Sequence, residues 1–105
     1  MTRTTINNRN LMAEFENSNA YETYKSVIEA LTNGGYYSKA IAEDIAEVIY
    51  ELSDITGYEP DYLFDIHFNM TAEFRNGKYT EDETESDIFE QFVRITLELD
   101  WDENN

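Results

Sequence analysis

The sequence predicts an α+β fold in which two or three N-terminal helices pack on one face of a two- or three-stranded antiparallel sheet. Three observations lead there. Apolar residues recur at spacings of three and four through residues 19–52, the period of an amphipathic helix. From Phe64 to Phe74 every even position is apolar and every odd one polar, the two-residue period of a strand with one buried face. Val93, Ile95, Leu97, Leu99 and Trp101 repeat that alternation near the C-terminus.

Residues 1–10 are a polar segment rich in Thr and Asn, whose side chains compete with regular backbone hydrogen bonding. Leu11 to Glu16 form a short helix with Leu11, Met12 and Phe15 on one side, closed by Asn17-Ser18-Asn19. Asn19 is the N-cap of the next helix, with Glu22 completing a box-like pair. Tyr21, Tyr24, Val27, Ile28 and Leu31 make its apolar stripe, and Gly34-Gly35 end it. Ser38 caps a further helix with Ile41, Ile45, Val48, Ile49 and Leu52 on one face. Its other face carries Glu43, Asp44, Glu47, Glu51 and Asp54.

Thr56-Gly57-Tyr58-Glu59-Pro60 reads as helix stop and connector. The first long strand follows within Tyr62 to Phe74. A helix starting at Pro60 competes with it, because proline suits a first turn and Asp61 favours the helix dipole; eleven residues of alternation decide for the strand. Asn76-Gly77 then predicts a two-residue hairpin turn, with Lys78-Tyr79-Thr80 starting the return. Glu81-Asp82-Glu83-Thr84-Glu85-Ser86-Asp87 reads as a solvated acidic loop, with a turn of helix near Ser86 as the alternative, and residues 93–101 as the second long strand. The organisation expected is a single domain over 1–105: a helical half at 11–56, strands within 62–101 around the acidic loop 81–87, and a frayed tail at 102–105.

Charge bounds the function more tightly than any motif. The chain holds 23 acids against 7 bases, a formal net charge of −16. Such a surface repels nucleic acid and anionic membranes, so neither is expected to bind directly; the expected partners are cationic. With no cysteine, disulfides and thiolate metal sites are excluded. No apolar run approaches the roughly 20 residues that span a bilayer and the N-terminus lacks a signal-peptide core, so a soluble, cytosolic protein is expected.

Residue chemistry argues against an enzyme. The single histidine, His67, is placed on the wet strand face beside Asp65 and Asn69, with no nucleophile near it in the pattern. The loop 81–87 lacks the spacing and glycine of a calcium-binding loop. Neither a cofactor nor a dedicated metal site is expected, and no phosphate-binding glycine loop is present.

What remains is the acidic surface. Glu43, Glu47 and Glu51 lie one helical turn apart, about 6 Å along the axis, at a cost of a few tenths of a kcal/mol per like-charged pair. No Lys or Arg occurs from Ala40 through Phe74 to relieve them. A protein that binds DNA or RNA presents Lys and Arg in a groove shaped for regularly spaced phosphates. A rigid carboxylate row beside an acidic loop is suited to fill that groove. Glu43, Asp44, Glu47, Glu51, Asp54, Glu81, Asp82, Glu83, Glu85 and Asp87 are the expected contacts. Tyr36, Tyr37, Tyr50, Tyr58 and Tyr79 are placed to stack on partner arginines.

In small size, absence of cysteine, acidic helices, the 81–87 loop and the Asn76-Gly77 turn, the chain resembles the phage-encoded acidic DNA-mimic proteins that block restriction or CRISPR nucleases. The resemblance implies a non-enzymatic inhibitor that occupies the DNA- or PAM-binding groove of a bacterial defence nuclease, acting in the host cytosol. Two other readings stand beside it. One is an adaptor or immunity-type protein binding one partner through an open sheet face at His67, Asn69, Thr71 and Thr96; the other is a protein adapted to high salt, whose charge serves solubility. Pairing of two copies through an exposed strand edge also stays open.

Overall fold

Five helices and no strand are present among the residues that the computed structural model describes, 10–33, 39–78 and 83–103, with side chains described through Glu98. They are α1 (Leu11–Glu16), α2 (Ala20–Thr32), α3 (Lys39–Thr56), α4 (Pro60–Arg75) and α5 (Glu85–Glu103). The α+β expectation is therefore wrong: both long strands are helices, and the sheet with its open face and exposed edge does not exist among these residues.

The first three helices follow the sequence reading. Asn10 caps α1, its side chain accepting from the Ala13 amide at 3.0 Å. Asn19 sits at the N-cap position of α2 but makes no side-chain cap bond. Glu22 turns instead to Lys25, at 3.0 Å, so the expected capping box is not formed. Val27 and Leu31 of α2 and Ile45, Val48, Ile49, Leu52 and Ile55 of α3 are buried, as their spacing requires. Gly34, Gly35 and Ser38, the expected stop and cap between these helices, lie outside the described residues.

Two glycines end helices where a left-handed backbone is needed. Gly57, at φ 86°, follows α3 and donates to the Ser53 carbonyl at 2.8 Å. Gly77, at φ 78°, does the same for α4 in a fuller form. Its amide donates to the Phe74 carbonyl at 3.0 Å, and the Lys78 amide reaches back to the Glu73 carbonyl at 3.0 Å. These paired bonds are a Schellman cap. The Asn76-Gly77 hairpin is thus a helix stop, because positive φ at glycine serves a hairpin turn and a helix terminus equally well.

α4 starts at Pro60 with Asp61 in its first turn, the alternative that alternation had outweighed. The error has a geometric cause. Positions of strict alternation separate on a helix into two stripes at i, i+4, i+8: Phe64, Phe68 and Ala72 on one side, Ile66, Met70 and Phe74 about 160° away. Met70 is buried together with Leu63, and Ile66 and Phe74 pack on the core, whereas Phe68 points to solvent at 70 % exposure. Period two was one helix with two apolar faces.

α5 shows the same confusion. Its buried residues among those described are Ser86, Ile88, Phe89, Phe92, Val93, Thr96 and Leu97, a helical stripe, and Ile95 is exposed. The helix lies against α2, α3 and α4 and touches α1, so it supplies the floor on which the others are set. The core is closed by rings: Phe15 meets Tyr21 and Tyr24 edge-on, with centroids 5.7 and 5.5 Å apart, and Phe89 stacks on Phe92 at 6.2 Å.

Thr96, 0 % exposed, was expected on the solvent face of a strand. Its hydroxyl has no hydrogen-bond partner among the described residues. Replacing it by valine removes a buried polar group at almost constant volume, and Thr96→Val is expected to raise stability by about 1 kcal/mol. A urea midpoint that stays level or falls would show the hydroxyl to be bonded.

Candidate functional site

The α3 carboxylates project from the helix face opposite its buried residues. Glu43, Glu47 and Asp54 are exposed, while Asp44 and Glu51 are half-buried at the edge of the row. Glu47 is held by α2, its Oε2 accepting from the Thr23 hydroxyl at 2.8 Å. Among the described residues no Lys or Arg pairs with any of the five. The cations that form ion pairs do so elsewhere: Lys25 with Glu22, Arg75 with Glu85 at 3.6 Å, and Arg94 with Glu90 at 3.6 Å. Of the row expected at Glu43, Glu47 and Glu51 the first two are exposed and the third is half-buried, and none of the α3 carboxylates has a cationic partner among the described residues.

The second acidic cluster is organised differently from the expected solvated loop. Glu81 and Asp82 lie outside the described residues. Thr84 and Asp87 form a capping box that starts α5: the Thr84 amide donates to Asp87 Oδ2 at 3.0 Å, and the Asp87 amide to Thr84 Oγ1 at 3.3 Å. Glu83 accepts from the Gln91 side-chain amide, and Glu85 pairs with Arg75 on α4. These acids initiate a helix and join it to its neighbour, so much of their charge is engaged internally. Five negative side chains close in sequence read as a loop; the Thr-x-x-Asp signature ahead of Ile88 and Phe89 was the contrary signal.

His67 is not a wet-face residue. It is half-buried on α4, its ring edge-on to Phe89 at 5.8 Å and to Phe92 at 5.2 Å of α5. Burial, followed by the charge of Arg75, pulls the imidazole down to about 4. At neutral pH it is an uncharged packing residue. Of the other residues given to the open sheet face, Asn69 is exposed and Thr71 half-buried, so the four form no common surface. No group of three or more His, Cys, Asp or Glu side chains arranged to hold a metal ion occurs among the described residues.

Sequence reasoning did not find the aromatic ridge between α3 and α4. Tyr50, 56 % exposed, stands edge-on to Phe64 with centroids 5.7 Å apart, and Phe68 follows one turn further along α4. An open groove of about 480 Å³ runs beside it, lined by Phe64, Asp65, His67, Phe68, Thr71 and Arg75. The detectable signal was the i, i+4 relation of Phe64 and Phe68 to each other, hidden inside the alternation. Of the other tyrosines, Tyr58 is half-buried against Tyr62 at 5.3 Å, and Tyr36, Tyr37 and Tyr79 lie outside the described residues.

Comparison of the chain with protein-family models, curated proteins and solved structures gives no match. Function must come from the surface itself. Among the described residues no helix is long and apolar enough to cross a membrane.

Proposed function

We propose that the protein is a non-enzymatic inhibitor that binds the basic nucleic-acid-binding groove of a bacterial defence nuclease, a CRISPR effector or a restriction enzyme, by mimicking the charge of DNA. One observation carries the reading: the exposed α3 row of Glu43, Glu47 and Asp54, flanked by Asp44 and Glu51, has no cationic partner among the described residues. Like charges on one helix destabilise it unless a partner answers them. A Lys- and Arg-lined groove supplies that answer, and its affinity for an anionic occupant is mainly electrostatic. The row rather than residues 83–87 is the main contact, because the latter are tied to Gln91, Arg75 and the start of α5.

The test is a triple variant, Glu43→Gln, Glu47→Gln, Asp54→Asn, which removes charge while keeping an acceptor for Thr23. Binding to an RNA-guided DNA nuclease and to a restriction endonuclease is measured across a salt series. The variant is expected to bind on the order of 10- to 100-fold more weakly at low salt, with a shallower salt dependence. Equal affinity and equal salt slope for the two forms would reject charge mimicry.

A further inference from the structure

The outward stripe of α4 is an apolar surface that the core uses only in part, through one side of Phe64. Phe68 is 70 % exposed, and with Tyr50 and half-buried Phe64 it makes a continuous ridge across two helices. The groove beside it follows α4 from Phe64 to Arg75, three turns or roughly 16 Å, a linear shape that matches three turns of a second helix. Carboxylates border it. Asp61 and Asp65 lie seven and three residues before Phe68, hence on its side of α4, and both are exposed. The cation at the far end, Arg75, is already engaged with Glu85.

We propose that this groove docks a basic amphipathic helix of the partner protein, its apolar residues against Phe68, Phe64 and Tyr50 and its flanking Lys and Arg side chains toward Asp61 and Asp65. The proposal deepens the function given above and rests on it for the sign of the partner's charge. It adds an apolar anchor distinct from the α3 row. Charge complementarity selects this occupant. A second copy would bring the same carboxylates face to face on a chain of net charge −16, and anionic membranes and nucleic acids are repelled by the same rim. An exposed aromatic set in a groove is the kind of residue that dominates binding energy at an interface.

Two fluorescein-labelled probes of identical Leu and Lys composition test this: a 14-residue peptide with leucines at helical i, i+3, i+4 spacing, and a permuted peptide with no apolar face. Anisotropy is read at 300 mM NaCl, where pure charge attraction is screened. The amphipathic peptide is expected to bind at least about 10-fold more tightly than the permuted one, and Phe68→Ala and Tyr50→Ala each to reduce its affinity by about 10-fold. Both side chains are exposed, so the variants keep the fold, checked by circular dichroism. Equal binding of the two peptides, or an unchanged affinity in Phe68→Ala, overturns the groove while leaving the α3 row to be judged by its own triple variant. A dimer in sedimentation that Phe68→Ala converts to monomer also overturns it, assigning the ridge to a second copy.

Discussion

Replacing Phe92 by alanine is expected to lower the unfolding free energy by about 3–5 kcal/mol, a large part of what a domain of this size holds in reserve. The ring is fully buried, stacked on Phe89, with the His67 imidazole edge-on to it. It sits on the helix that touches all four others, so the cavity opens where the packing converges. In urea the midpoint should fall with the slope of the transition unchanged. Ile95→Ala is the companion measurement. A strand would bury Ile95 with Val93 and Leu97 and leave Phe92 outside; the helix exposes Ile95, and its loss is expected to cost under about 1 kcal/mol. Reversal of the two effects would return the segment to a strand.

The second large effect is on pH dependence. His67 titrates near 4 in the folded protein and near 6.5 when unfolded. Between these values the unfolded chain binds a proton that the folded protein refuses, so stability is lost as pH falls through this window and regained as it rises. From pH 7 to pH 5 the expected loss is about 2 kcal/mol. A His67→Phe variant, which keeps the ring contacts with Phe89 and Phe92, should lack that loss. The uncharged rings of Phe89 and Phe92 face the imidazole from α5, and Arg75 on its own helix adds to the depression. Urea midpoints of both proteins at pH 7 and 5 give the difference directly. Parallel pH profiles would mean that His67 titrates normally.

The helices were legible where one periodicity was present and obscured where two overlapped. In α3 the apolar positions satisfy only the helical period, so its buried face and its acidic face could both be read, down to Glu43, Glu47 and Asp54. In α4 the two apolar stripes interleave into apparent alternation, and the decisive local chemistry, Pro60 and Asp61 at the start and Gly77 beyond the end, carried less weight than it deserved. In α5 the acidic run drew attention from the Thr84 and Asp87 box, so the stripe from Ile88 to Leu97 was entered halfway, at Val93. Glu43, Glu47 and Asp54 kept their expected exposure under the change of fold because exposure on α3 is a local property of that helix. The aromatic ridge did not show, because Tyr50 and Phe64 come together only when α3 and α4 pack.

The unanswered carboxylates of α3 have a thermodynamic consequence. The folded protein holds like charges close together, and burial of the core offsets their repulsion. A cationic surface that settles on the row removes part of that repulsion from the folded state alone, and linkage then makes the complex harder to unfold than the protein by itself. If the α3 row binds as proposed, the complex is therefore expected to unfold at a higher urea concentration than the protein alone.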